Sequence, residues 1–89
     1  MKAIVTVIAN DRVGIIASVC NILADQGVNV LDLSQTVMRD YFTMIMLVDT
    51  AACKVSFADL AVILQEAGQK DGLTIRIQRE DIFEAMHRI

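Results

Sequence analysis

The sequence predicts an α+β sandwich, a four-stranded antiparallel sheet with two helices on one face, followed by a short C-terminal helix. Three observations predict it. Segments of two-residue apolar alternation and segments of helical apolar spacing follow one another in the order β-α-β-β-α-β. Gly, Asn, Asp and Ser punctuate the junctions. The 89 residues contain no proline, and no linker or low-complexity stretch interrupts them, so residues 1–89 read as one domain.

Lys2 to Ala9 carries β-branched residues in alternating order and reads as a strand. Asn10-Asp11-Arg12-Val13-Gly14 interrupts it with turn chemistry. Ile15 to Gln26 reads as a helix through Ile15, Ile16, Val19, Ile22 and Leu23, with Gly27 at its C-terminal cap. Val28 to Met38 is the second strand, Arg39-Asp40 a hairpin tip, and Tyr41 to Asp49 the third strand. Thr50 to Val55 is a loop. Ser56 caps a second helix that uses Phe57, Leu60, Ile63, Leu64 and Ala67 and ends near Gly68 or Gly72. Leu73 to Arg79 alternates as a fourth strand, with Leu73, Ile75 and Ile77 inward. Glu80 to Arg88 reads as the short terminal helix, packing Ile82, Phe83 and Met86.

This order is the split βαβ, or ferredoxin-like, arrangement. Right-handed crossovers put both long helices on one face of the sheet and leave the other face bare. The third strand is apolar on both sides: Phe42, Met44, Met46 and Val48 on one, Ile45 and Leu47 on the other. A strand with one wet face should alternate cleanly, so both faces are expected to be covered. Burying such side chains is worth ~1.5–3 kcal/mol each, a drive towards a homodimer or a higher assembly. At 55% hydrophobic residues, the chain holds more apolar material than a small monomer easily hides.

Composition narrows the function classes. The net charge is −3, and the eight Lys and Arg residues are scattered, which argues against nucleic-acid binding. No apolar run reaches the ~20 residues of a membrane helix, and the N-terminus lacks a signal-peptide layout, so a cytoplasmic protein without membrane contact is expected. Cys20 and Cys53 form no C-x-x-C pair and read as reduced thiols, and His87 is the single histidine. No metal or cofactor is expected.

Two segments carry the candidate chemistry. In the first turn, Asp11 is placed to cap the first helix, and Gly14 lets the backbone turn sharply or lets another group approach. The N–H groups of Val13 to Ile16 are then free helix-terminal donors that favour an anion such as an amino-acid carboxylate. Asp11 and Gly14 equally suffice to build a plain turn. In the second segment, Gly27-Val28-Asn29-Val30-Leu31-Asp32, Asn29 can donate and accept hydrogen bonds together, which suits an ammonium, a carboxylate or a local Asn turn.

Asp11 to Val30, D-R-V-G-I-I-A-S-V-C-N-I-L-A-D-Q-G-V-N-V, resembles the ACT-domain pattern: Asp or Asn, Arg, any residue, Gly, an amphipathic helix, then G-x-N-[IV]. Ser34-Gln35-Thr36-Val37, Tyr41-Phe42-Thr43-Met44 and Ile82-Phe83-Glu84-Ala85-Met86 are similar to a group of small stand-alone bacterial ACT proteins of uncharacterised function. The resemblance implies a regulatory domain that pairs with a second copy and binds a small effector, often an amino acid. The effector would lie between the first turn of one subunit and the second strand of another. It implicates Asp11, Gly14 and Asn29, with the neighbouring backbone at Arg12, Val13, Ile15 and Val30. In that site Asp11 would attract an ammonium, Gly14 and Ile15 would offer N–H groups to a carboxylate, and Asn29 would bridge. Arg12 would face solvent or join a surface ion pair. Serine-sensing relatives carry a histidine where this chain has Ala9, which argues against serine as the effector.

Two other readings compete. One is an interaction module that binds a protein partner, or only itself, without a ligand. The other is an acylphosphatase-like enzyme using Arg12 and Asn29 to hold a phosphate. Asp11 beside a phosphate cradle would be repulsive, and Ser18, Ser34 and Ser56 have no histidine partner within sequence reach. A non-enzyme is therefore expected.

Overall fold

Alternation along the strands decides which side chains enter the core. In a computed structural model that describes residues 1–10 and 13–81, β1 (Lys2–Asn10), β2 (Asn29–Met38), β3 (Tyr41–Asp49) and β4 (Thr74–Arg79) form one antiparallel sheet in the order β2-β3-β1-β4. Helices α1 (Ile15–Asp25) and α2 (Phe57–Asp71) supply the second layer. This is the predicted βαββαβ sandwich. Glu80 and Asp81 are helical. Ile82, Phe83 and Met86 of the expected terminal helix lie outside the described residues, as do Asp11 and Arg12.

The core is the helix-facing side of the sheet. Ala3, Val5, Val7 and Ala9 of β1 lie buried beside Phe42, Met44, Met46 and Val48 of β3, with Leu73 and Ile75 completing the row. α1 contributes Ile15, Val19 and Leu23; α2 contributes Leu60, Leu64 and Gly68. No described buried side-chain polar atom lacks a hydrogen-bond partner.

The opposite side of β3 behaves differently. Leu47 is half-buried, and Ile45 stands 42% exposed in the protomer. The expectation that both faces are covered thus holds for one face within a single chain.

The caps account for most of the boundaries. The Ser56 hydroxyl accepts the Asp59 N–H at 3.1 Å, the predicted cap of α2. The helix runs past Gly68, which is buried against Leu73 and Ile75, and stops at Gly72, where φ is 74°. Gly14 occupies the N-cap position with φ 91°, and no described side chain caps the helix; Asp11, the expected cap, lies outside the described residues. A left-handed residue there turns the chain so sharply that the cap position falls on the glycine itself.

Gly27 closes α1 with φ 78°, and a Cβ built there would meet the Ala52 carbonyl oxygen at 2.5 Å. The Lys54 N–H donates to the Gln26 carbonyl at 2.9 Å across the same contact. β2 is an edge strand and is interrupted. Its register against β3 shifts between Val30 and Asp32, leaving Leu31 as the extra residue, 44% exposed. The Asp32 carboxylate takes the Leu33 N–H at 2.8 Å within this bulge.

Candidate functional site

The predicted site residues fall into two groups at opposite ends of the sheet. Asn10 of β1 stands opposite Tyr41, which stands opposite Met38. The first turn therefore leaves the sheet at the end of β2 that carries Met38. Asn29 pairs with Asp49, which pairs with Lys2, at the other end. At ~3.3 Å per residue the two ends of β2 are about 30 Å apart. One protomer thus brings Gly14 and Ile15 together but not with Asn29 and Val30. Val30 is partly buried and packs against the core.

The first turn opens onto a cleft of ≈ 690 Å³ lined by Gly14, Ile15, Ile16, Ala17, Gln35, Val37 and Phe42. That is within the ~300–1,000 Å³ of ordinary small-molecule sites. α1 forms one wall and the C-terminal half of β2 the other. The φ of Gly14, 91°, favours glycine, and nothing lies within 4 Å of where its Cβ would sit, so the space beside it is open. Val13, next to it, is fully exposed. The first helical bond runs from the Ser18 N–H to the Gly14 carbonyl at 2.9 Å. The N–H groups of Ile15, Ile16 and Ala17 consequently have no intrahelical acceptor.

Sequence reasoning missed the β2 wall. On the helix-facing side of β2, Leu33, Gln35 and Val37 stand opposite Met46, Met44 and Phe42. Gln35 is the polar member of that row. The apolar spacing of Leu33 and Val37 was the available signal, and it picks Gln35 out once a face is assigned. A second groove, ≈ 440 Å³, follows the free edge of β4 past Gln65 and Gln69 and holds none of the predicted site residues. Among the described residues no cluster of His, Cys, Asp or Glu suits a metal, and no helix is long and apolar enough to cross a membrane.

A glycine-started helix facing an edge strand, on a βαββαβ sheet, is the geometry that the sequence resemblance implies. The family model of the ACT domain matches residues 2–78. The chain belongs to the ACT domain family. It is 54% identical to a UPF0237 protein of Clostridium acetobutylicum over 89 residues, all of both chains. A UPF0237 protein of Methanocaldococcus jannaschii is 48% identical over 88 residues, 99% of this chain and 98% of that one. Among solved structures, an ACT domain protein from Streptococcus pneumoniae superposes with a TM-score of 0.84 at 42% identity, covering 98% of each chain. The ACT fold is thus matched over nearly the whole chain, and ACT domains are typically ligand-binding regulatory domains.

Proposed function

We propose that this chain is a non-catalytic, single-domain sensor of an amino acid, with its effector site built across two copies. The observation that carries the reading is the placement of two halves of a site on one edge. The cleft beside Gly14 lies at the Met38 end of β2, and Asn29 lies at the other end of the same strand. β2 is an unpaired edge of the sheet. Two such edges related by a two-fold axis run antiparallel, so the Asn29 end of one strand meets the Met38 end of its partner. That pairing brings the Asn29 end of the partner subunit's β2 beside each cleft and satisfies the free edge of both strands.

The chemistry suits a zwitterion. The N–H groups of Ile15, Ile16 and Ala17, which have no intrahelical acceptor, favour a carboxylate. The Asn29 amide, exposed at the start of β2, can accept from an ammonium through its oxygen. Ile16, Val37 and Phe42 give the cleft an apolar wall. Binding would tighten the edge pairing, because the ligand touches both copies, and the assembly state would signal to a protein partner.

A thermal-stability screen of the twenty amino acids tests the reading. A ligand at 100 times its Kd adds about 2.7 kcal/mol, which moves the midpoint by roughly 10–20 °C in a domain this small. A flat screen favours the ligand-free interaction module instead.

A further inference from the structure

We infer that the groove between α2 and the free edge of β4 takes an extended, acidic peptide strand of a protein partner, which adds to the sheet beside β4. The site lies apart from the cleft beside Gly14 and does not rest on the amino-acid reading. β4 pairs only with β1, so alternate residues of Thr74–Arg79 turn their N–H and C=O groups to the groove. The groove holds ≈ 440 Å³ along that edge. Its helix wall is Ala61, Gln65 and Gln69, spaced i, i+4 and i+8 on α2, each directly after a buried residue, Leu60, Leu64 and Gly68. Gln65 and Gln69 are exposed, and their amides can donate to and accept from a strand backbone laid between α2 and β4. Ala61 is the smallest of the three and, with Ile75 and Ile77, gives the groove its apolar part. Strand addition needs these components: a free edge whose backbone groups hold the guest, and a wall that receives every second side chain.

Charge selects the occupant. β4 carries Arg76 and Arg79 and no acid. Arg79 is paired with Asp81 at 2.8 Å. Arg76 is exposed, has no acidic partner among the described residues, and is the one charged side chain among those lining the groove. An added strand that sets a carboxylate opposite Arg76 gains a cross-strand ion pair. A second copy of β4 does not. About a two-fold axis, like strands centred on Arg76 set two guanidinium groups face to face; centred on Ile75 or Ile77, they set Arg76 against Thr74 or Gln78. The charge thus guards the edge against its own kind and leaves an acidic strand as the complementary guest. β2 of another copy offers Asp32, but the bulge at Leu31 breaks its edge beside that residue. The chain's own continuation is a poor guest too. To lie along β4 it would have to reverse in a tight turn after Arg79, and Glu80 and Asp81 are helical instead.

Two capped peptides as long as β4, six residues, test the site. One alternates valine with glutamate, the other valine with lysine. Each is titrated into the full chain and followed by backbone amide NMR, with circular dichroism melting as the control for folding. The glutamate peptide is expected to shift the amides of Thr74–Arg79, Gln65 and Gln69 and to slow hydrogen exchange at alternate residues of β4. It should bind ~10-fold more tightly than the lysine peptide, because one pair of opposite charges replaces one of like charges. Arg76→Glu should reverse that preference and remain folded, since the side chain is exposed. Gln65→Trp, which fills the groove from an exposed position, should abolish the binding of both peptides. No binding of either peptide, equal affinity for the two, or a preference unchanged in folded Arg76→Glu overturns the proposal. So do shifts confined to the β2 edge. Binding seen only after residues 82–89 are deleted overturns it as well, since the chain's own continuation is then what fills the groove. A lower assembly mass of Arg76→Glu in sedimentation equilibrium would make a second copy the occupant and likewise overturn it.

Discussion

Gly14 and Asn29 are fifteen residues apart in sequence and lie at opposite ends of one sheet, joined by the length of β2. α1 carries the chain from one end to the other, so the motif that spans Asp11 to Val30 is split by its own helix. Its two halves meet only when a second copy supplies one of them.

The first prediction concerns Asn29. It is exposed in the protomer, so Asn29→Ala should change the stability of the ligand-free protein by no more than ~0.5 kcal/mol. The midpoint increase produced by the best amino acid in the screen should disappear. Thermal denaturation with and without that amino acid reads both quantities.

The second separates two glycines. Gly14 has open space beside it, so Gly14→Ala carries only the left-handed strain, about 1–2 kcal/mol. Gly27→Ala carries that strain and a collision with the Ala52 carbonyl oxygen at 2.5 Å. Urea unfolding should therefore rank Gly27→Ala as the more destabilising. Equal losses would mean that the turn at Ala52 gives way without cost.

How far these positions can be read from sequence differs between them. The turn, the start of α1 at Ile15 and the glycine ending the helix are carried by local composition and spacing. Composition favours Asp11 as the cap because Asp is a good cap in general, whereas the N-cap position falls on Gly14. The helix begins directly after the glycine, as the spacing implies, but the positive φ that puts Gly14 itself at the cap is not visible in the sequence. The inward and outward sides of β3 follow from two-residue alternation, and Phe42, Met44, Met46 and Val48 are buried as that pattern implies. What the spacing hides is position along the sheet. The Met38 end and the Asn29 end differ by register with β3, a long-range property, and Gln35 enters the cleft only through that register. The bulge at Leu31 is likewise invisible in the pattern Val30-Leu31-Asp32-Leu33.

A third prediction follows from the alternation. Met46 and Ile45 are neighbours in sequence, but Met46 is fully buried and Ile45 is 42% exposed. Met46→Ala should cost about 2–5 kcal/mol. Ile45→Ala should cost the folded protomer far less. Chemical denaturation at a protein concentration low enough to suppress assembly makes the comparison.

The fourth concerns the cap that sequence and structure share. Ser56→Ala removes the hydroxyl that accepts the Asp59 N–H and should cost about 1 kcal/mol. That corresponds to a midpoint lower by about 4–8 °C. Ser56→Asp, which keeps an acceptor and adds a favourable charge at the helix start, should hold the midpoint near the wild type.

The shared site is tested most directly by mixing two defective variants. Asn29→Ala removes one half of each site, and Ala17→Trp fills the cleft that holds the other half. Each variant alone should show no binding of the selected amino acid by calorimetry. Random mixing by unfolding and refolding together pairs each intact cleft in a mixed dimer with an intact Asn29 of the partner subunit, restoring about a quarter of the sites. Recovery of that fraction is the predicted result. No recovery from a mixture shown to contain mixed dimers, or full binding by Asn29→Ala alone, would contradict a site built across two copies.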